Sequence, residues 1–171
     1  GFYNRAGWLI VNLITAVLVS IIIGLFDATI EQMVALAVLM PIVASMGGNA
    51  GTQTMTITVR ALALRELDRH RMARLILREV SVGFINGVVF AVLIGAVTVL
   101  RFSNIELGIV IGLAMIINMI AAGAAGILIP LALNKLKVDP AIASSVFVTT
   151  ITDVIGFFAF LGLAGLWFGL F

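Results

Sequence analysis

Asp153 stands near the middle of a long apolar run, where no other ionisable residue is found at that depth. A carboxylate at the centre of a bilayer costs about 2.5–3.5 kcal/mol on insertion scales, so it normally faces a cavity, a partner or an ion. No lysine or arginine lies at its depth to pair with it. Ser145, Thr149, Asp153 and Gly156 recur at i, i+4, i+8 and i+11 and share one face of a helix, flanked by Thr150 and Thr152. A second segment, PIVASMGGNAGTQT at 41–54, carries Ser45, Asn49, Thr52, Gln53 and Thr54 with three glycines and no charge. Glycine permits close approach and unwound backbone, and non-helical backbone at membrane depth is tolerated only where it is buried or lines water. Such a segment offers neutral oxygen, while Asp153 supplies charge. That combination suits a hard cation. Mg2+ fits, because it takes oxygen ligands and sheds water reluctantly, so a wide site holds it as the hydrated ion. Calcium, manganese and sodium stay open on these grounds. The plainer reading of Gly47 and Gly51 is a small-xxx-small helix crossing. Asn118 serves either as an interhelical hydrogen bond or as pore lining. The run AAGAAG at 121–126 is assigned to packing, as are Gly162, Gly165 and Gly169.

The elements that must hold these residues are membrane helices. Of 171 residues, 63% are apolar and 11% charged, more apolar side chain than a soluble domain of this size can hide. Five runs reach the roughly 20 residues a helix needs to cross the bilayer: 8–26, 33–64, 80–100, 107–133 and 141–167. The alternation of a barrel is absent, so the expected fold is all-α with five spans. The second run is too long for a straight crossing, and Pro41 with Gly47-Gly48 predicts a break or kink there. No cysteine is present, which excludes disulfide and thiolate–metal chemistry. The chain opens on Gly1 rather than methionine and has no signal-peptide cleavage pattern, as expected for a piece of a longer protein.

Charge placement predicts orientation. Nine of the ten basic residues fall before the first run, between the second and third, or between the fourth and fifth; Arg101 is the exception. The positive-inside rule then puts the N-terminus in the cytoplasm and the C-terminus outside. The stretch RALALRELDRHRMARLILRE at 60–79 is expected to be a short helix presenting Arg65, Arg69 and Arg74 to anionic headgroups, with Glu66, Asp68 and Glu79 interspersed. His70 within it is expected to be solvated. Nucleic-acid binding is excluded because the basic face lies against the membrane.

PIVASMGGNAGTQT followed by RALALRELD, the opening RAGWLIVNLITA, and KVDPAIASSVFVTTITDVIGF at 137–157 together resemble the MgtE magnesium channel family and its eukaryotic solute-carrier relatives. The resemblance covers essentially the whole chain. It implies a homodimer with one Mg2+ pathway on the two-fold axis, lined by the second and fifth spans of both subunits. Asp153 matches the family's central magnesium-binding aspartate, and Gly47, Gly48 and Asn49 match the segment that shapes the pore and contacts the hydrated ion. Thr149, one turn before Asp153, faces the same water. Ser45, Thr52, Ser145, Thr150, Gly156 and Asn118 are the further pore-lining candidates. The family commonly adds a cytosolic sensor with a paired CBS module, which this chain lacks. A single transmembrane domain over 1–171 is therefore expected to conduct without closure by cytosolic Mg2+. The expected location is the plasma (inner) membrane of a prokaryote.

Three rival functions follow from the residues. A cation transporter or exchanger coupled to H+ or Na+ would use Asp153 as a titrating group, but no internal repeat relates two halves of the chain. An intramembrane aspartyl hydrolase needs two carboxylates sharing a site, and one chain supplies one. A membrane scaffold has only the lack of a soluble domain in its favour. The reading taken is a passive Mg2+ channel rather than an enzyme.

Overall fold

The computed structural model describes residues 2–65 and 69–169. Among them every regular element is a helix: α1 (Phe2–Gly24), α2 (Asp27–Gln32), α3 (Ala35–Ala63), α4 (Arg69–Phe102), α5 (Ile105–Lys135) and α6 (Pro140–Phe168). Five are long and apolar enough to cross a membrane, and α2 is a single short turn-like helix between the first two. The chain is an all-α, multi-pass membrane fold. Lipid cannot hydrogen-bond a backbone, and helices satisfy every such group internally.

Two expectations about local structure change. The second span is not interrupted at 41–48: α3 is continuous with Pro41 inside it. Proline removes one donor and leaves the Ala37 carbonyl without its usual partner, but the turns on either side keep the helix going. The chain breaks earlier, where Met33 takes an extended conformation (φ −142, ψ 90) between α2 and α3. The arginine-rich connection is not a separate short helix either. Its first part finishes α3 and its last part, from Arg69, is the start of the 34-residue α4. Arg65 is in the left-handed region (φ 54) beyond the end of α3, so it shares no helical face with Arg74. Glu66 and Asp68 lie outside the described residues.

α5 is the hub, buried along its length from Leu107 to Leu133 and packed by α3, α4 and α6. The α4–α5 seam is backbone against backbone. Gly83, Gly87 and Gly95 on α4 share one side with Ala91 and lie against Met119, Ile116 and Gly108 of α5. Gly123 sits on the Glu79 carbonyl, which a Cβ would approach to 2.8 Å. Small residues at this spacing let helices approach closely, which is how helices associate in lipid. The α4 glycines escaped the reading of the sequence, because they are diluted by bulky residues facing outward. The other half of the bundle is filled by large side chains from α2, α3, α5 and α6, among them Leu36, Leu39, Val43, Ile111 and Phe160. α1 stands at the edge against α6, through Trp8 on Phe147 and Val19.

Helix ends follow capping chemistry. Asn104 accepts a hydrogen bond from the Leu107 N–H at 3.1 Å to start α5. α5 ends with Lys137 left-handed (φ 60), its N–H on the Asn134 carbonyl and the Val138 N–H on the Leu133 carbonyl, a Schellman closure. Gly169 (φ 64) ends α6 in the same left-handed conformation, and nothing lies within 4 Å of a Cβ built there or at Gly162. Those two glycines are not the packing residues the sequence suggested.

Gly123→Ala is expected to lower stability by about 1–3 kcal/mol, since the atom it meets is backbone and cannot step aside. Gly162→Ala, with open space around it, is expected to be near neutral. Thermal unfolding of the purified protein in detergent compares the two.

Candidate ion pathway

α3 separates two faces. Leu36, Met40, Val43, Gly47, Gly51, Thr54 and Thr58 are buried, whereas Ser45, Asn49, Thr52, Gln53 and Thr56 are exposed. Ser45, Asn49, Thr52 and Thr56 repeat at intervals of three and four and form one stripe of hydroxyl and carboxamide groups. Because the helix is unbroken, the freed backbone carbonyls expected from this segment are not formed. The hydroxyls of Thr52 and Thr56 bond back to the carbonyls of Gly48 and Thr52, both at 2.8 Å. Asn49 Nδ2 reaches Ser45 Oγ at 3.5 Å, the outer limit of a hydrogen bond. The neutral oxygen of this stripe therefore comes from side chains.

The two glycines at its centre differ. Gly47 faces inward, against the carboxamide of Asn118. Gly48 faces open space, with nothing within 4 Å of a Cβ. Gly51 meets Val148 and Thr152 of α6, and Gly126 of α5 meets Thr54 and the Gly51 carbonyl. The small-xxx-small reading of Gly47 and Gly51 thus describes how α3 is seated.

α6 carries the charge. Ser145 and Thr149 are exposed, Thr150 and Asp153 are half-buried, and Gly156 is buried. Among the described residues Asp153 makes no hydrogen bond or ion pair, while its neighbours are engaged: Thr150 donates to the Val146 carbonyl at 2.7 Å and Thr152 to the Thr149 carbonyl at 3.0 Å. Contacts of Val43 with Gly156 and of Gly51 with Val148 set α3 antiparallel to α6. This register puts the 46–47 turn level with 152–153, so Asp153 stands within one helical turn of Asn49 in height.

Asn118 of α5 is fully buried where α3, α5 and α6 meet, away from the exposed stripe. Its Nδ2 donates to the Val43 carbonyl at 2.9 Å, and its Oδ1 has no partner. A groove of about 660 Å³ separates α1 from α6 and is lined by Asn4, Arg5, Trp8, Asn12, Ser145 and Thr149. Arg5 thus borders the polar stripe of α6 instead of acting only as a topology signal.

A second acid was missed as an interior group. Glu79, assigned to the cytoplasmic connection, is buried inside α4 and accepts a hydrogen bond from Thr54 Oγ1 at 3.3 Å. It borders a cavity of about 210 Å³ whose lining also includes Gln53, Arg78 and Asn86. The signal was available in register: Glu79 stands four residues before Gly83 on the glycine face. No three His, Cys, Asp or Glu side chains gather among the described residues.

Residues 40–163 match the family described as MgtE, divalent cation transporter. The chain belongs to the MgtE family. It is 38% identical over 162 residues to a protein named magnesium transporter MgtE from Bacillus subtilis. Proteins of the same name from Enterococcus faecalis and Thermus thermophilus are 34% and 33% identical over 163 and 162 residues. Each match covers 95% of this chain and 36% of the relative, so the chain spans about a third of their length. The MgtE match takes in most of α3, all of α4 and α5, and most of α6. Those are the helices that bear Asn49, Asn118 and Asp153.

Thr54→Val removes the donor to Glu79 while keeping the shape. It is expected to lower stability by about 1–2 kcal/mol, the cost of leaving a buried acceptor unpaired. Thermal unfolding of the purified variant in detergent checks it.

Proposed function

We propose that this chain is the membrane part of a magnesium channel, and that Mg2+ passes down its electrochemical gradient through a site built on Asp153. The observation that carries the reading is the half-buried Asp153 carboxylate, which has no hydrogen bond or ion pair among the described residues and stands level with the 46–47 turn, within one helical turn of Asn49. An intramembrane acid without a counter-charge is most readily accounted for by a cation that it meets in passage. The names of the bacterial relatives select Mg2+ among the hard cations.

In this reading two chains meet with the exposed stripes of α3 and α6 facing a shared axis, so two Asp153 carboxylates approach one another. Like charges in such a site repel unless a cation lies between them. Ser45, Asn49, Thr52, Ser145 and Thr149 offer oxygen to the water shell of the ion, and Gly48 leaves room for it. The hydrated ion is held through its waters, which avoids the cost of stripping Mg2+. A divalent ion entering under an inside-negative potential gains about 4.6 kcal/mol per 100 mV, twice the value for one charge, so voltage alone drives entry. The surplus of arginine and lysine on one side orients the N-terminus to the cytoplasm.

The test is Mg2+ uptake into proteoliposomes under an inside-negative potential. Asp153→Asn, which keeps the shape and removes the charge, is expected to cut uptake at least about tenfold, equivalent to losing about 1.4 kcal/mol of ion stabilisation. Uptake in Asp153→Asn equal to that of the native chain would overturn the site. Uptake that requires an imposed H+ or Na+ gradient would replace the channel by a coupled exchanger.

A further inference from the structure

We propose that Asn118 is a positioning residue that sets the separation of α3 from α6 behind the ion site, so that ion preference depends on a side chain no ion touches. The inference rests on the reading of Asp153 given above.

The carboxamide of Asn118 is wedged between two glycines. A Cβ at Gly47 would fall onto its Nδ2 and Cγ, and one at Gly156 would come within 3.0 Å of Nδ2 and 3.1 Å of Cγ. Gly47 immediately precedes Gly48-Asn49, and Gly156 lies one turn beyond Asp153. The same Gly156 also receives Val43, whose carbonyl is the acceptor for Asn118. One planar amide therefore touches both helices of the pathway and is bonded to one of them.

Packing alone does not account for an asparagine here. Its Oδ1 is buried with no partner, and an apolar side chain of the same volume would fill the space without that cost. Buried polar groups are directional where leucine is not, and they hold one arrangement of neighbours against others. The amide fixes how far α3 stands from α6 and prevents α3 from sliding along it, because Val43 must stay opposite Nδ2. A shift of either kind moves the Gly48-Asn49 turn relative to Asp153. A site that holds an ion through its water shell is sensitive to such a change in width, and ions with larger shells should benefit when it widens.

The test measures half-saturating Mg2+ and the Mg2+ to Ca2+ uptake ratio in proteoliposomes, with thermal unfolding in detergent alongside. Asn118→Leu is expected to raise half-saturating Mg2+ by about three- to tenfold and to lower the Mg2+ to Ca2+ ratio, the range expected when one buried hydrogen bond no longer fixes the site. Gly47→Ala is expected to shift both quantities the same way, because the added methyl pushes on the amide. In Gly47→Ala/Asn118→Ala the clash is relieved but the amide is absent, so the unfolding temperature should recover while both uptake quantities stay shifted. If Asn118→Leu changes only the unfolding temperature, Asn118 is a packing residue and the inference falls. Should Asn118→Leu fail to fold, native half-saturating Mg2+ and a native Mg2+ to Ca2+ ratio in the folded double variant overturn the inference. Asp153→Asn in the same assay keeps the two claims apart. Native uptake in that variant strikes the ion site itself, whereas lost uptake there with native behaviour in Asn118→Leu strikes only the role of Asn118.

Discussion

A helix surrounded by hydrocarbon gains little by hiding a leucine, since lipid tails solvate leucine as well as another helix does. Helices stay together in that solvent where their backbones come close and where polar groups need one another. α5 meets this requirement on three sides. Its glycines and those of α4 bring two backbones into contact from Glu79–Gly123 to Gly95–Gly108. Gly126 seats Thr54 of α3, and Asn118 ties α3 through the Val43 carbonyl. α6 closes on the same hub. With α5 fixed, the positions of α3 and α6 relative to one another follow, and the candidate ion site is formed between elements that are each held from behind.

This arrangement explains a division of labour among small residues. Gly47, Gly51 and Gly156 lie on buried faces, where they admit a neighbouring side chain. Gly48 alone of the α3 glycines faces open space. A segment that reads as one glycine-rich motif is therefore two interleaved surfaces, one seating the helix and one left exposed, where the proposed pathway would run. The same holds for the threonines. Thr54 and Thr58 point inward, while Thr52 and Thr56 lie on the exposed stripe with their hydroxyls turned onto the preceding turn. Back-bonded hydroxyls keep their oxygen lone pairs available to water, which is compatible with an oxygen-lined route.

Pro41 and the glycines suggest a break or kink because in water they disfavour an uninterrupted helix. In the bilayer, leaving backbone groups unpaired costs several kcal/mol each, so the helix runs through them, and the unpaired position is limited to the one carbonyl that proline leaves. The error over Glu79 has a related origin. An acid next to a cluster of arginines looks like a solvated loop residue, yet α4 continues through the cluster and turns Glu79 onto α5 and Thr54. Which face of a helix looks inward depends on its neighbours, and hydropathy alone does not reveal that when the outward face is apolar too.

Composition and run length by themselves determined that this chain is a bundle of five crossing helices, because a backbone in lipid has almost no alternative and about 20 apolar residues span it. The lone mid-span acid and its hydroxyl stripe were equally legible, since i, i+4 spacing places residues on one face whatever surrounds them. The tertiary structure decided which of the polar groups lie near one another. It set Thr152-Asp153 level with Met46-Gly47, put Asn118 behind them rather than on the exposed stripe, and drew Glu79 into the interior. Those facts depend on the rotation and register of packed helices. Register is chosen by close contacts among glycines far apart in the chain, and no local pattern in the sequence encodes the sum of those contacts.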